Sequence, residues 1–413
     1  MDRVILHSDI NSCFANVELL YAPQLRGLPL AVCGDADARH GIVLSKDELA
    51  KQAGVKTGMA IWQAKQLCPQ LQTVTPHYDR YEKYSLIIRE IYSCYTDLCE
   101  PFGIDESWLD ISCCLACPDG YKTAHEIKDR VYRETGLTVS IGVSWNKVLA
   151  KLGSDYKKPD AVTLIDREHF RELVWPLHVS ELLMVGRSTT ATLHSMGIDR
   201  IGELARASPA LLQQRLGKHG LTIHAFANGL DSSPVRRIGE VPPVKSIGNS
   251  TTTARDMVCT ADVYLAFLTL AESVGARLRE ASLKCRSLEI SLRNPDLNWH
   301  SHRMRLPYAT DCTEELLEAA MLLFCESHRW PGALRSIGLR AIELLPVDEP
   351  EQLDIFTDYK CHDRRRRMDK ALDKIRGKYG YSSIQRGIAL ADSQLGSLNA
   401  REDHTVHPRS FFN

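Results

Sequence analysis

Three acidic residues in two distant stretches carry the chemical interest of this chain. Asp9 follows the apolar run Arg3-Val-Ile-Leu-His-Ser8, and Asp105-Glu106 lies between Phe102-Gly-Ile104 and Ser107-Trp-Leu-Asp-Ile111. Carboxylates at strand ends or turns can converge on hard cations such as Mg2+, which take oxygen ligands and share them with phosphates. Two such ions about 4 Å apart neutralise the attacking and leaving oxygens of phosphoryl transfer. Successive strand residues face opposite sides, so Asp105 and Glu106 can serve one ion pair only at a turn or bulge, which Gly103 makes accessible. Taken singly, each acid reads as a turn residue or a solvated surface charge.

The elements that must position these acids can be read from hydropathy period and punctuation. Residues 3–8 read as a buried strand ending at Asp9, followed by a helix near Ala15–Leu20. Strands are expected at 30–33 and 41–44, and helices at 47–53 and 60–67. A long amphipathic helix is expected over 78–95, with Tyr84, Ile87, Ile88, Ile91 and Tyr95 on its apolar face. Two strands are expected at 104–106 and 108–111. A helix at 124–135, a strand at 138–143, a helix at 145–155 and a strand at 161–165 complete this part. The irregular alternation predicts an α+β domain rather than a doubly wound sheet.

Helices dominate from about 168 to 230. Gly186 and Gly197 sit at helix junctions, where backbone N–H groups could bind phosphates without reading sequence; a plain helical bundle fits equally well. The Pro-, Gly- and Ser-rich segment 232–243 reads as an interdomain linker. Strands at 245–253, 284–293, 299–306 and 336–345 then alternate with helices at 262–281 and 314–326 as a βαββαβ unit. The tail from Pro346 holds a short apolar motif, a basic helical stretch and a polar end, Ser393–Asn413, expected to be poorly ordered.

Bulk properties narrow the class. At 413 residues the chain is too long for a single core. Its 44% apolar and 25% charged content is that of an ordinary globular protein. No apolar run reaches the roughly 18 residues of a membrane span, so no membrane partner is expected. The start carries no secretory pattern, which makes the cytoplasm the expected compartment. The 13 cysteines are scattered, and Cys114–Cys117 lacks a second pair at zinc-finger spacing, so no zinc site is expected. The net charge of −1 disfavours a wholly basic nucleic-acid binder, yet Arg236–Arg305 holds eleven basic against seven acidic residues.

Four motifs, in order, carry a family resemblance: His7-Ser-Asp-Ile-Asn-Ser-Cys-Phe-Ala-Asn-Val-Glu18, Gly54-Val-Lys-Thr-Gly-Met59, Gly103-Ile-Asp-Glu-Ser-Trp-Leu-Asp-Ile-Ser112, and Ser140 through Asn146-Lys147 and Lys151 to Lys158-Pro159. They resemble the Y-family DNA polymerases, nearest to the bacterial DNA polymerase IV and UmuC-like group, over residues 3 to about 390. The resemblance implies an α+β multidomain, right-hand polymerase: palm at 1–20 and 79–167, small fingers at 21–78, helical thumb at 168–231, linker at 232–243, little finger at 244–346 and tail at 347–413. It implies a low-fidelity translesion enzyme, working as a monomer on primer-template DNA and dNTP with two Mg2+ ions. Asp9, Asp105 and Glu106 match the catalytic metal-binding acids, and the Ile10 carbonyl matches a backbone metal ligand. Phe14 matches a steric gate, whose ring leaves no room for a 2′-OH. Backbone groups of Ser12 and Cys13 suit the triphosphate, and Lys158 matches a triphosphate-contacting lysine. Lys147 and Lys151, four apart on one helix, and Lys245 and Arg255 in the basic segment are candidate DNA contacts, as are Gly186 and Gly197.

The chain departs from the family pattern in the fingers. Where Tyr and Arg of a Y-E-A-R motif would touch the triphosphate, Glu48 and Lys51 stand. Lys51 keeps the charge without the bidentate fork, Glu48 is left unassigned, and Ser45 can offer a hydroxyl. Asn11 replaces a common Asp, and Gly103 a common Ser. Gln352-Leu353-Asp-Ile355-Phe356 resembles a sliding-clamp-binding peptide. Arg364–Arg367 reads as a solvated helix face. A catalytically inactive DNA- and clamp-binding adaptor is the competing reading, and the retained acids count against it. A palm-fold nucleotide cyclase would have no use for the later segments.

Overall fold

The computed structural model describes residues 3–34, 41–114, 119–350, 359–392 and Leu395. Its described residues form two compact units, the first running to Val241 and the second starting at Pro242.

The first unit begins with strand β1 (Ile5–Ile10) and helix α1 (Cys13–Tyr21). Strands β2 (Leu30–Cys33) and β3 (Val43–Lys46), helices α2 (Glu48–Gln52) and α3 (Ile61–Leu67), and strand β4 (Gln72–Val74) follow. Then come α4 (Tyr78–Ser93), β5 (Cys99–Pro101), β6 (Glu106–Asp110), α5 (Gly120–Thr135), β7 (Val139–Ser144), α6 (Lys147–Tyr156) and β8 (Val162–Leu164). β1 lies at the centre of a five-stranded sheet of order β5-β6-β1-β7-β8. Every residue of β1 and β7 is buried, because helices cover both faces. Leu6, Ile10, Leu109, Ile141 and Val143 face a core shared with α1, α4 and α5. The alternate residues of β1 turn the other way, where Ile5 packs with Trp108 of β6 and Ala150 of α6.

Three expectations are corrected here. The segments 104–106 and 108–111 are not two strands: residues 103–105 are a bend, and a single strand, β6, starts at Glu106. The partner strand β5 was not foreseen. Asp9 is not the end of β1 but lies inside it, because pairing with β7 continues to Ile10↔Val139. The long helix α4 also sits slightly rotated from the expected face. Tyr81, Ser85, Ile88, Ile91 and Tyr92 are buried, while Tyr84 and Ile87 are only half-buried.

A second, three-stranded sheet has order β3-β2-β4, with β4 parallel to β2. The three residues of β4 were too few to show a strand period. This sheet keeps a small core of its own with α2 and α3, including Ala31, Val43, Ala50, Ala64 and Leu71. Its other face meets α1, where Leu30 and Val32 pack on Ala15 and Phe14. Five short helices follow: α7 (Phe170–Val174), α8 (Arg187–Ser195), α9 (Ile201–Arg206), α10 (Pro209–Leu216) and α11 (Lys218–Ala227). Their core includes Val148, Leu149 and Leu152 of α6, so α6 is clamped between the central sheet and this helical cluster. The front of the expected linker is pinned to the same unit. Arg236 bonds Glu100 with its backbone N–H (3.0 Å) and its guanidinium (2.9 Å), Ile238 N–H bonds Asp97 O, and Val235 is buried.

The second unit is β9 (Ser246–Met257), α12 (Thr260–Glu280), β10 (Leu283–Arg293), β11 (Trp299–Thr310), α13 (Thr313–Ser327) and β12 (Leu334–Pro346), the expected βαββαβ order. Its antiparallel sheet, β11-β10-β12-β9, buries Leu288, Ile290, Ile337 and Leu339 against Phe267, Leu270, Leu316 and Phe324 of the two helices.

Helix α14 (Tyr359–Tyr379) rests on this helix layer through charges. Arg279 meets Asp369 and Asp373, Arg376 meets Glu272, and Arg366 meets Asp311. His362 Nδ1 lies 3.0 and 3.1 Å from the two oxygens of Glu315, with Cys312 Sγ at 3.8 Å. Hydrogen bonding to Glu315 raises the His362 pKa, so this Cys–Glu–His cluster reads as a buried ion pair. Arg364–Arg367 is therefore not a uniform solvated face: Arg365 and Arg366 turn inward to Glu314, Glu318 and Asp311. Residues 115–118, 352–356 and 396–413 lie outside the described residues. The Cys117 partner of Cys114, the clamp-like peptide and nearly all of the polar tail fall among them.

The central sheet and α6 approach unusually closely at Gly142 of β7. A methyl group there would fall inside the contact radii of Ala150 O and Ser154 N, which are backbone atoms of α6. Gly142→Ala is therefore expected to push α6 off the sheet, costing roughly 1–3 kcal/mol as overpacking does. Thermal melting checks this, and an unshifted melting temperature would contradict it.

Candidate active site

The three acids converge on the face of the central sheet that α6 covers. Asp9 and Glu106 are directly opposed residues of the antiparallel β1–β6 pair, which brings their Cβ atoms to within about 5 Å. Asp105 is placed by the bend before β6. Gly103 has φ +97°, a left-handed conformation that glycine adopts freely. The bend is held by four bonds: Arg89 to Gly103 O (2.8 Å), Ser85 Oγ to Ile104 O, Phe102 N to Glu106 O (2.9 Å), and Ile10 N to Asp105 O (2.9 Å). This is the distortion that lets two consecutive acids serve one site. It also explains why Ser85 points inward from an otherwise apolar helix face.

Two lysines of the α6 region reach the acids. Lys151 Nζ lies 2.9 Å from Glu106 and 3.4 Å from Asp9; Lys158 Nζ lies 2.6 Å from Asp9. Asp155, between them in sequence, meets Lys151 at 3.2 Å and Lys158 at 2.8 Å. Lys151 and Asp155, four apart, and Asp155 and Lys158, three apart, are neighbours on a helical surface. The D-Y-K-K-P stretch held this signal, yet Asp155 was not singled out. His7 was also missed. Fully buried, it meets Ser154 Oγ at 2.8 Å through Nδ1 and Glu106 at 3.2 Å through Nε2.

The charges do not balance. Three carboxylates, Asp9, Glu106 and Asp155, are in direct contact with two ammonium groups, and Asp105 close by adds a fourth, leaving two negative charges. Burial is the main reason that the Asp9 pKa rises to about 7, with Glu106 adding repulsion against the pull of Lys158. Burial and Glu106 likewise raise Asp105. Burial pushes His7 down to about 4, so it is neutral at physiological pH. Excess negative charge and hard oxygen donors both fit divalent cations at Asp9, Asp105, Glu106 and the Ile10 carbonyl.

Beside the acids, Ser12 precedes α1 with φ +45°, an uncommon conformation for a residue with a side chain. The N–H groups of Ser12, Cys13 and Phe14 meet no acceptor among the described residues. The Phe14 ring stacks on Tyr81 at 4.2 Å, and Tyr78 meets it edge-on at 5.7 Å. Tyr81 is locked in turn by its hydroxyl bond to Glu18 (2.6 Å) and by the His77 N–H.

The comparisons with known proteins agree on what this arrangement belongs to. The impB/mucB/samB family model matches residues 8–155, and that family's C-terminal domain matches 244–355. A model described as the DNA polymerase-iota thumb domain matches 181–231. DNA polymerase IV of Acetivibrio thermocellus is 45% identical, covering 96% of this chain and all of that protein. DNA polymerase IV of Moorella thermoacetica is 37% identical over 94% of this chain and 96% of that one. The chain belongs to the Y family of DNA polymerases. A Y-family chimera of Dbh and Dpo4 shares the fold, with a TM-score of 0.72 at 24% identity, over 83% of this chain and 99% of that one.

The remaining Y-family positions are spread more widely. Ser45 lies on β3 opposite Val32, and Lys51 is exposed on α2, 3.5 Å from Glu48. Lys147 is occupied: it bonds Glu100 at 2.7 Å and covers the Trp108 ring. Lys151 is likewise turned into the acids. Gly186 caps α8 and Gly197 follows it with φ +75°, both exposed. Lys245 is exposed ahead of β9, and Arg255 is paired with Asp262 and Asp392.

The raised Asp9 pKa makes a stability prediction. Ionised Asp9 weakens the metal-free fold as pH climbs from about 4, its ordinary value, through about 7. At pH 8, Asp9→Asn is expected to stabilise the metal-free protein by roughly 1–3 kcal/mol and to remove the stabilisation that Mg2+ gives the parent. Melting curves with and without Mg2+ read both; a metal-free variant less stable than the parent would contradict this.

Proposed function

We propose that this chain is a template-directed, low-fidelity translesion DNA polymerase that adds dNMP to a primer 3′ end. One observation carries the reading: the convergence of Asp9, Asp105 and Glu106, with more negative charge than Lys151 and Lys158 offset. Two Mg2+ ions bound there would neutralise the oxygens of the attacking primer terminus and the leaving pyrophosphate. The chain's own residues do the rest. Free N–H groups at Ser12, Cys13 and Phe14 suit triphosphate oxygens at the start of α1. Lys158, a mobile point charge, suits the pyrophosphate, with Ser45 and Lys51 as further phosphate contacts from the second sheet. The Phe14 ring, braced by Tyr81, is offered as the wall against a 2′-OH.

Low fidelity is supported by small fingers, in which the helices α2 and α3 have only five and seven residues. Such a site closes weakly on its base pair. Grip on DNA then falls to sequence-independent contacts, for which the thumb glycines Gly186 and Gly197, together with Lys245, are suited. Arg255, Lys147 and Lys151 are offered only secondarily, because each is already ion-paired. Among the described residues no helix is long and apolar enough to cross a membrane. The segment Gln352-Leu353-Asp-Ile355-Phe356 is proposed to dock on a sliding clamp. The adaptor reading has no observation in its favour.

Primer extension with Mg2+ and dNTPs tests the core of this reading. Glu106→Ala should lower kcat by at least about a hundredfold, the scale of losing one transition-state charge stabiliser; an undiminished rate would remove the metal assignment. Phe14→Ala should raise ribonucleotide incorporation while leaving dNTP use largely intact, and unchanged sugar selection would end the gate role. Deleting residues 352–356 should abolish clamp-dependent processivity and spare single-nucleotide insertion. Processivity that survives the deletion would place clamp docking elsewhere.

A further inference from the structure

Helix α14 has two differently built faces. The inner one, formed by His362, Arg365, Arg366, Asp369, Asp373 and Arg376, is spent on pairing with α12, α13 and the segment before α13. The outer one carries Lys360, Arg364, Arg367, Lys370, Lys374 and Lys378, all exposed. Their spacings of 4, 3, 3, 4 and 4 residues keep them on one side of a 3.6-residue helix. From first to last the strip is about 27 Å long at 1.5 Å per residue. Among the described residues none of the six meets a carboxylate, and Asp363 is the one acid on that side.

We propose that this outer face of α14 binds the phosphate backbone of duplex DNA, as a contact surface separate from the polymerase site. Charge complementarity selects the occupant. Duplex DNA presents about one negative charge per 1.7 Å of axis, so a 27 Å strip lies beside a dense, regular row of partners. Four of the six cations are lysines, compact point charges without a planar fork, which suits contacts indifferent to base sequence. The ion-paired inner face fixes the strip on the second unit, so binding orders little new backbone. The run Arg364–Arg367 hides this division, because its two middle residues face inward and its two outer ones face out.

The test uses the full chain and a fluorescent primer-template duplex, with affinity read by anisotropy between 50 and 200 mM salt. Lys370→Gln, Lys374→Gln and Lys378→Gln combined should flatten the slope of log affinity against log salt by about 2–3, at roughly 0.9 for each phosphate no longer neutralised. The three corresponding Lys→Arg changes should restore it. Arg364→Gln with Arg367→Gln, an independent pair, should flatten it by about 2 on the same scale. The rate of single-nucleotide addition at saturating DNA should stay at the parent value. An unchanged slope in both sets overturns the proposal, as it would if the strip served an acidic protein instead. Weaker binding with an unaltered slope also overturns it, because that marks damage to the fold rather than fewer neutralised phosphates.

Discussion

Everything in the first unit is arranged around a repulsion. Three carboxylates are held together in a largely buried pocket where burial alone already raises the cost of ionising Asp9 and Asp105. Two lysines relieve this without cancelling it. A fold that places like charges so close keeps them for what they bind, since a chain selected only for stability would have lost them. The strain is held by backbone, which side-chain motion cannot relax. Asp9 and Glu106 are fixed by strand register, and Asp105 by the Gly103 bend with its four anchoring bonds.

Helix α6 is the second half of the device. It approaches the sheet closely because Gly142 carries no side chain, and from that position Lys151 and Ser154 reach Glu106 and His7. The reverse side of α6 is core for the helical cluster that follows, and Asn146 and Trp145 tie its start to Gly229 O. The lysines are thus positioned from both sides. Across the acids, α1 is gripped between the two sheets, which sets the free N–H groups and the Phe14 ring beside the same pocket.

Most of the long elements were legible in the sequence because each carries a full period of apolar residues, as with β1, α5, α12 and the four strands of the second unit. The fold class followed from their order. What escaped were elements too short to show a period, β4 and β5, and features set by tertiary packing. The extension of β1 past Asp9 depends on pairing with β7, and the inward turn of Ser85 answers to a carbonyl in a distant bend. The acids were found because they sit in motifs. His7 and Asp155 lie in the same motifs, but their roles come from partners 99 and 3 or 4 residues away that only the fold brings into line. The split of the Arg364–Arg367 run between two helix faces likewise needed the helix and its neighbours.

On the proposed function, Asp9, Asp105 and Glu106 share a pair of divalent cations. Counting Mn2+ ions by electron paramagnetic resonance, with primer-template and a non-hydrolysable dNTP analogue bound, tests it most directly. Two ions should bind per chain, and fewer when any one of the three acids is replaced by its amide. Binding of two ions that is indifferent to all three replacements would contradict the account.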